Sequence, residues 1–332
     1  MSITEFKFST EVEAADISNA INKNYGYVMT EFLELQRGWL FRAYSVFKDL
    51  DKYLILMSLI DKTFKSYSEY LIKYNYEEFY SVKEYELKKF NIVHVANELS
   101  MSKETARRKI LEMEKNGLII KNKKAVHMQR HGYNLQKPIE SIIQISKFMS
   151  ILSKLLKKNK IVNNEITTKD FETLIKKNFT HCWSYFLSFQ IEYLTGFKKK
   201  FFGDYETLSI WAMIVYNQNL YLNKKSRKTD YKVSKEKYFK ILILLEESLG
   251  LNAMTISDLT GIPRPTVLRK LNKLIKTKWI SKDKKGLYRM MPNEKNYKDL
   301  NVVRLENVSK LSYMVSKFYN TARLGLLKPK NI

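Results

Sequence analysis

Four arginines stand out in a chain that otherwise prefers lysine. Arg107 and Arg108 lie in "SMSKETARRK", and Arg264 and Arg269 lie in "GIPRPTVLRK". Residues 102–109 and 263–270 are sixteen of 332 positions, yet they hold four of the eleven arginines, a concentration that composition alone does not explain. Guanidinium presents a planar fork of donors to phosphate or guanine, which an ammonium group does not. Each window also reads as the start of a helix, where unpaired N–H groups and the positive end of the dipole favour anions and base acceptors. The chemistry within reach is recognition of a polyanion. Bond making has weaker candidates. His127 and His131 stand four apart and His181 adjoins Cys182, but one cysteine and no nearby acidic cluster make a poor metal site. Glycine loops for phosphate, nucleophile elbows and paired catalytic carboxylates are missing from the sequence, so no enzyme and no cofactor are expected. "GFKKKFF" at 196–202 reads as a solvated charge run, and Asp49, Asp51, Glu246 and Glu247 as capping or surface residues.

Helices must position these arginines. "MTEFLELQRGWLFRAYSVFKDL", "DFETLIKKNF" and "KYFKILILLEESLG" carry apolar residues at three- and four-residue spacing, and glycine and proline are scarce. The formal charge of +25 suits a polyanionic partner, with lysine-rich composition as the bland alternative. The length allows two domains, each with its own core. The acidic, mixed N-terminus and the short apolar runs predict a soluble, cytoplasmic, nucleoid-associated protein. "NKKSRKTDYKVSKEK" at 223–237 reads as a long exposed loop or a frayed helix end.

An internal repeat organises the rest. Residues 101–127 overlay 262–288 at a shift of 161 with no gap, and 145–156 overlay 308–319 at a shift of 163. Agreement of apolar positions carries the match: Ile110 with Leu271, Met113 with Leu274, Ile119 with Ile280. The segments upstream of each copy match poorly. In copy one a short helix with Val95, Ala96 and Leu99 facing inward is followed by a tight turn and a second helix from Ser102 to Asn116, ended by Gly117. In copy two "TISDLT", Gly261 and "PRPTVLRKLNKLIKTK" repeat that order, with Arg264 as the cap and Pro265 in the first helical position. After each comes a short strand, a basic tip and an apolar return, a two-stranded wing in outline. Ala106, Ile110 and Met113, like Val267, Leu271 and Leu274, should face the core, leaving Lys103, Glu104, Arg107 and Arg108, and Arg264, Leu268, Arg269 and Lys270, outside.

"VANELSMSKETARRKILEMEKNGLI" and "ISDLTGIPRPTVLRKLNKLIKTKWI" resemble the DNA-binding cores of bacterial winged-helix regulators of the MarR, IclR and GntR kinds. The resemblance covers about a quarter of the chain, with Ser100 and Lys278 standing where glycine is usual. It implies that the second helix of each unit enters the major groove, with Thr105 and Thr266 near phosphates. Lys121, Lys123 and Lys124, with Lys282, Lys284 and Lys285, would then lie along the backbone or minor groove, unless they are solvated turn tips.

The expected fold is mainly α: two winged helix-turn-helix units embedded in helical bundles as a duplicated pseudo-dimer. The first half, 1–160, holds a winged helix at about 82–130 and a trailing helix at 141–158. The second, 161–332, holds them at about 236–291 and 302–324. The trailing helices would pair the halves, while the aromatic helices at 26–80 and 183–222 hold the two units apart. The expected activity is sequence-specific binding of double-stranded DNA as a transcriptional regulator, reading two non-identical half-sites. A plasmid- or phage-type replication initiator and a winged-helix protein-docking module are the alternatives. A small-molecule effector between the helical cores stays open.

Overall fold

The computed structural model describes residues 11–88, 90–122, 125–130, 132, 137–229, 235–244 and 250–326. The chain is mainly helical, with a few short strands. Helices α1 (Ala14–Lys23), α2 (Tyr25–Phe47), α3 (Leu50–Glu69) and the short α4 (Tyr76–Ser81) come first. Strand β1 (Glu84–Lys88), helices α5 (Ile92–Glu98) and α6 (Lys103–Lys115), strands β2 (Ile119–Lys121) and β3 (Ala125–Gln129), and α7 (Ile139–Lys158) follow. Next are α8 (Thr168–Lys177), α9 (Phe179–Phe197), a π-helical turn (Lys198–Phe202), α10 (Tyr205–Thr229) and α11 (Lys235–Leu244). The chain continues through α12 (Ala253–Thr260), α13 (Arg264–Lys276), β4 (Ile280–Lys282), β5 (Tyr288–Met290) and α14 (Glu294–Leu326). No described helix is long and apolar enough to cross a membrane. The expected loop at 223–237 is helical up to Thr229 and again from Lys235, and residues 230–234 lie outside the described residues.

Local chemistry recurs along the chain beyond the region where sequence similarity is visible. Asn24 ends α1 and Asn178 ends α8, each in a similar non-helical backbone conformation between a short helix and a longer one. Each asparagine amide caps backwards, Asn24 Nδ2 onto the Ala20 carbonyl at 3.0 Å and Asn178 Nδ2 onto that of Leu174 at 3.1 Å. Lys48 after α2 and Gly203 after the π turn are both left-handed. Between cap and left-handed residue lie the 23 residues of α2 in one half, and the 19 of α9 with the 5 of the π turn in the other. The π turn thus absorbs one additional residue. Asp49 and Asp204 then sit at the next helix starts, accepting from Asp51 and Lys52 N–H and from Thr207 N–H respectively. The upstream segments match poorly by residue type, yet their helix ends, caps and turn geometry correspond.

Packing interleaves the two halves of the chain. Helix α2 lies on α10 and α3 on α9, while α1 packs on α14 and α8 on α7. The inner faces of the two connecting helices, Ile17 and Ile21 in α1 and Phe171 and Ile175 in α8, are wholly buried, each worth about 1.5–3 kcal/mol against exposure. Polar locks cross as well. Ser184 and Ser188 donate to the buried carboxylate of Asp61 at 2.9 Å, and Asn219 Nδ2 donates to Thr30 Oγ1 at 2.7 Å. The expectation of two domains with separate cores is therefore corrected: the buried apolar residues from Val12 to Ala322 form one cluster. Pairing by the trailing helices is corrected too. Helix α7 spends its apolar face chiefly on α8 and α2, and α14 spends its own on α1 and α9. Each stripe is filled by the connecting helix that precedes the opposite half.

Candidate nucleic-acid interface

In the first unit, α5 and α6 are joined by a turn in which Ser100 takes a left-handed φ of 48°. Ser102 caps α6, accepting from Thr105 N–H at 3.1 Å, and its hydroxyl bonds the Thr105 hydroxyl at 2.8 Å. The Thr105 side chain is thus engaged in the cap. Ala106, Ile110 and Met113 are buried against the scaffold as their spacing predicts. Ser102, Lys103, Glu104, Arg107 and Arg108 are exposed. Both arginines meet carboxylates of their own helix, Arg107 Nε to Glu104 at 3.5 Å and Arg108 to Glu112 at 3.9 Å. Glu112 is also paired with Lys52 at 2.5 Å, which together with Lys109 and Arg108 holds its carboxyl below the usual range. Gly117, at φ 67°, ends the helix.

In the second unit, Gly261 ends α12 at φ 72°, its N–H donating to the Ser257 carbonyl at 2.8 Å. Pro263 is the residue before the helix, Arg264 the first helical residue and Pro265 the second. That corrects the expected cap: extended Pro263 is the residue that precedes the helix, Arg264 enters helical geometry although it stands before Pro265, and neither proline removes an N–H with an intrahelical partner. Arg264, Pro265 and Arg269 are exposed, and Thr266 and Leu268 are half-buried. Among the described residues neither Arg264 nor Arg269 has an ion-pair partner, and α13 contains no acidic residue.

Lys270 is a further correction. It is 8% exposed and turned inward, with Nζ 2.7 Å from Asp204 and 3.5 Å from Glu206. Position 270 is on the inner edge of the helix, one turn after Thr266, so the carboxylates at the α10 start capture it. Lys109, at the matched position of α6, pairs in the same way with Asp49 at the α3 start. Burial opposes ionisation of Asp204, yet Lys270 and Thr207 hold its carboxyl below the ordinary 3.8. The sequence does not mark these acceptors, since Asp49 and Asp51 read there as capping or surface residues. The spacings give no signal either, since Asp49 to Asp204 is 155 residues and Lys109 to Lys270 is 161.

Each turn is also held by the opposite half. Lys198, on the π turn, donates to Asp51 at 3.0 Å and to the Leu99 carbonyl at 3.3 Å, and the Tyr205 hydroxyl reaches the same carbonyl at 3.4 Å. The "GFKKKFF" run is therefore only partly solvated: Lys198 is buried at the first turn, and Phe201 and Phe202 contact Trp279 at 5.0 and 5.2 Å between ring centroids. On the other side Gly261 lies against Phe41 and Tyr44 of α2, and the Tyr44 hydroxyl is 3.4 Å from Glu206.

Behind each helix pair stands a hairpin. Ile119 pairs with Met128 and Lys121 with Val126, while Ile280 pairs with Met290 and Lys282 with Tyr288. The second hairpin holds one more residue between its last paired positions, five against four, so the gapless overlay ends in the tip and Val126 corresponds to Tyr288, not Leu287. Strand β1 adds to β3, and Leu251 makes the equivalent single bridge to Tyr288. Lys121, Lys282, Lys284 and Lys285 are exposed, Lys282 reaching over the Tyr288 ring at 5.5 Å. Asp283 orders that tip by accepting from Lys285 and Leu287 N–H, both at 2.9 Å. Lys123, Lys124 and His131 lie outside the described residues.

Two other features bear on chemistry. Among the described residues no group of three metal-ligating side chains occurs, and burial raises the Cys182 thiol to about 12, leaving it inert at neutral pH. An apolar cavity between α2, α10 and the α12 turn is lined by Leu40, Trp211 and Ile262, with the Gln36 amide, 3% exposed, in its wall. Comparison with known proteins returned no matching family model, no matching curated protein and no matching solved structure.

Proposed function

We propose that α5–α6 with β2–β3 and α12–α13 with β4–β5 are two winged helix-turn-helix units of a duplicated single-chain pseudo-dimer that binds double-stranded DNA sequence-specifically. The observation that carries this reading is the two-sided build of α6 and α13. On each, a lysine at the matched position is pinned inward to an aspartate at a helix start, while arginines of the first turns stand outward. Pinning orients the helix on the scaffold, and exposed guanidinium groups are suited to guanine and phosphate. Exposed wing lysines would add phosphate contacts that fix register without specifying sequence. The role that fits best is transcriptional regulation, with the cavity beside Gln36 as the place where a small-molecule effector would act on the second unit.

Genome-wide capture of DNA fragments by the purified chain, followed by footprinting, tests the reading. The expected result is promoter sites with two unlike half-sites about 10–11 bp apart, centre to centre, and affinity that falls steeply with salt. Capture of iterated origin repeats would reassign the protein as a replication initiator. Salt-independent binding to a protein with no affinity for DNA would overturn the DNA reading.

A further inference from the structure

Among the outer positions at which the two units differ, one matched pair has a definite chemistry. In α6 the pair is Glu104 and Arg107; at the same places in α13 it is Pro265 and Leu268. Members of each pair are three positions apart and so adjacent on one helix face. Glu104 and Arg107 are 77% and 61% exposed, and Arg107 Nε lies 3.5 Å from the Glu104 carboxylate. With Nε turned to Glu104, the terminal nitrogens of Arg107 are free to donate. The pair therefore offers an acceptor beside donors on one outward edge. In the major groove a C·G pair presents the complement in order: the cytosine N4 donor, then guanine O6 and N7 as acceptors. A T·A pair offers an acceptor, O4, where the carboxylate needs a donor, and a reversed G·C pair places its donor at the wrong end. The carboxylate thus rejects as well as selects. Its own salt bridge lessens the repulsion it would otherwise feel near phosphates.

Pro265 and Leu268 offer no hydrogen bond at all. Pro265 is exposed and Leu268 half-buried, so an apolar edge stands between Arg264 and Arg269 on α13. The base-edge group that suits it is the thymine methyl, the one apolar projection into the major groove.

We propose that Glu104 with Arg107 reads a C·G base pair in one half-site, and that Leu268 with Pro265 reads a thymine methyl in the other. The proposal rests on the DNA reading above. Glu104 and Leu268 are its specificity-determining residues, and the arginines contribute affinity to both half-sites.

The test begins with selection of duplexes from a randomised pool by the full-length chain, then measures binding to defined variants of the selected site. One half-site should contain a required C·G pair whose replacement by T·A weakens binding about 5- to 100-fold. In Glu104→Gln that preference should shrink to under about threefold, with an unchanged melting temperature because residue 104 is on the surface. Replacing thymine by deoxyuridine in the other half-site removes a single methyl and should weaken the wild-type chain about fourfold. That substitution is made in the DNA, so it does not depend on a folded Leu268 variant. A C·G preference undiminished in Glu104→Gln overturns the first assignment, and indifference to deoxyuridine overturns the second. Selection of no duplex at all overturns the DNA reading, and the proposal with it.

Discussion

Helices α6 and α13 share an inner face and differ on the outer one. Inside, Ala106, Ile110 and Met113 match Val267, Leu271 and Leu274 in burial, and Lys109 and Lys270 reach for equivalent aspartates. Outside, α6 carries four basic residues and three acidic ones, α13 four basic and none acidic. The seats differ as well. Trp279 of the second unit sits among Phe201, Phe202 and Trp211, where the first unit has Leu118 at the matched position. A face that must fit a scaffold admits few solutions, so copies keep it. An exposed face is under no such constraint, and on the proposed DNA reading two half-sites would allow two answers.

The seating side of the comparison is tested hardest by Asp204→Ala. It strips acceptors from Lys270, Lys273 and the Thr207 N–H at once, and should lower stability by about 3 kcal/mol in urea denaturation. Asp49→Ala, losing one lysine partner and a helix cap, should cost about 1–2 kcal/mol. Equal losses would show the two seats to be energetically alike. The same carboxylate sets a pH signature. Because Asp204 ionises below its ordinary 3.8 when folded, its contribution is complete above that value and is lost as pH falls through the folded value. The stability gap between wild type and Asp204→Asn should therefore be full at pH 7 and narrow steadily below about pH 4.

On the outer side, Arg269→Ala should weaken DNA binding by about 1–3 kcal/mol, and Arg108→Ala by under about 1 kcal/mol, because Glu112 already shares the latter's charge. Titration of both variants on the same duplex reads the difference, and a larger loss for Arg108 would reverse the assignment of the stronger anchor. The smallest effects concern the turns, where the copies exchange glycine for other residues. Gly261→Ala should cost about 1 kcal/mol from its φ of 72° alone, since an added Cβ meets only ordinary contacts, the nearest at 3.7 Å. Ser100→Gly should gain about 0.5 kcal/mol by relieving the matched left-handed residue, as should Lys278→Gly opposite Gly117. Thermal denaturation measures all three, and a gain for Gly261→Ala or a loss for Ser100→Gly would mean that the two turns are not equivalent.

Much of the candidate interface is legible in the sequence because helix signals are local. Ser102 as a cap, Gly117 and Gly261 as left-handed ends, and the buried i, i+4, i+7 stripes follow from neighbouring residues. The two departures from glycine, Ser100 and Lys278, take the glycine conformation anyway, which no local propensity announces. Lys270 is misassigned from sequence because a lysine beside an exposed arginine gives no sign of Asp204 and Glu206, which belong to the start of another helix. The wider correspondence is hidden by changes of spacing: matched positions lie 154 residues apart at Asn24 and Asn178, 155 at Asp49 and Asp204, 161 at Lys109 and Lys270 and 162 at Val126 and Tyr288, one residue of that drift being taken up in the π turn and one in the second hairpin. Each shifts the register, and side-chain identities drift between them, while caps and left-handed residues keep their places.

By itself the sequence determined that this chain is mainly helical, that two stretches of it begin helices with clustered arginines, and which faces of those helices are apolar. These are consequences of interactions within about a turn of helix, where residue type and spacing are enough. Only the tertiary structure decided that the halves interlock around one core, that Lys109 and Lys270 serve the scaffold, and that Lys198 and Tyr44 hold the turn of the opposite unit. Those outcomes depend on side chains from distant parts of the chain, brought together by burial of aromatic and aliphatic faces, and burial is non-directional until the whole chain has folded.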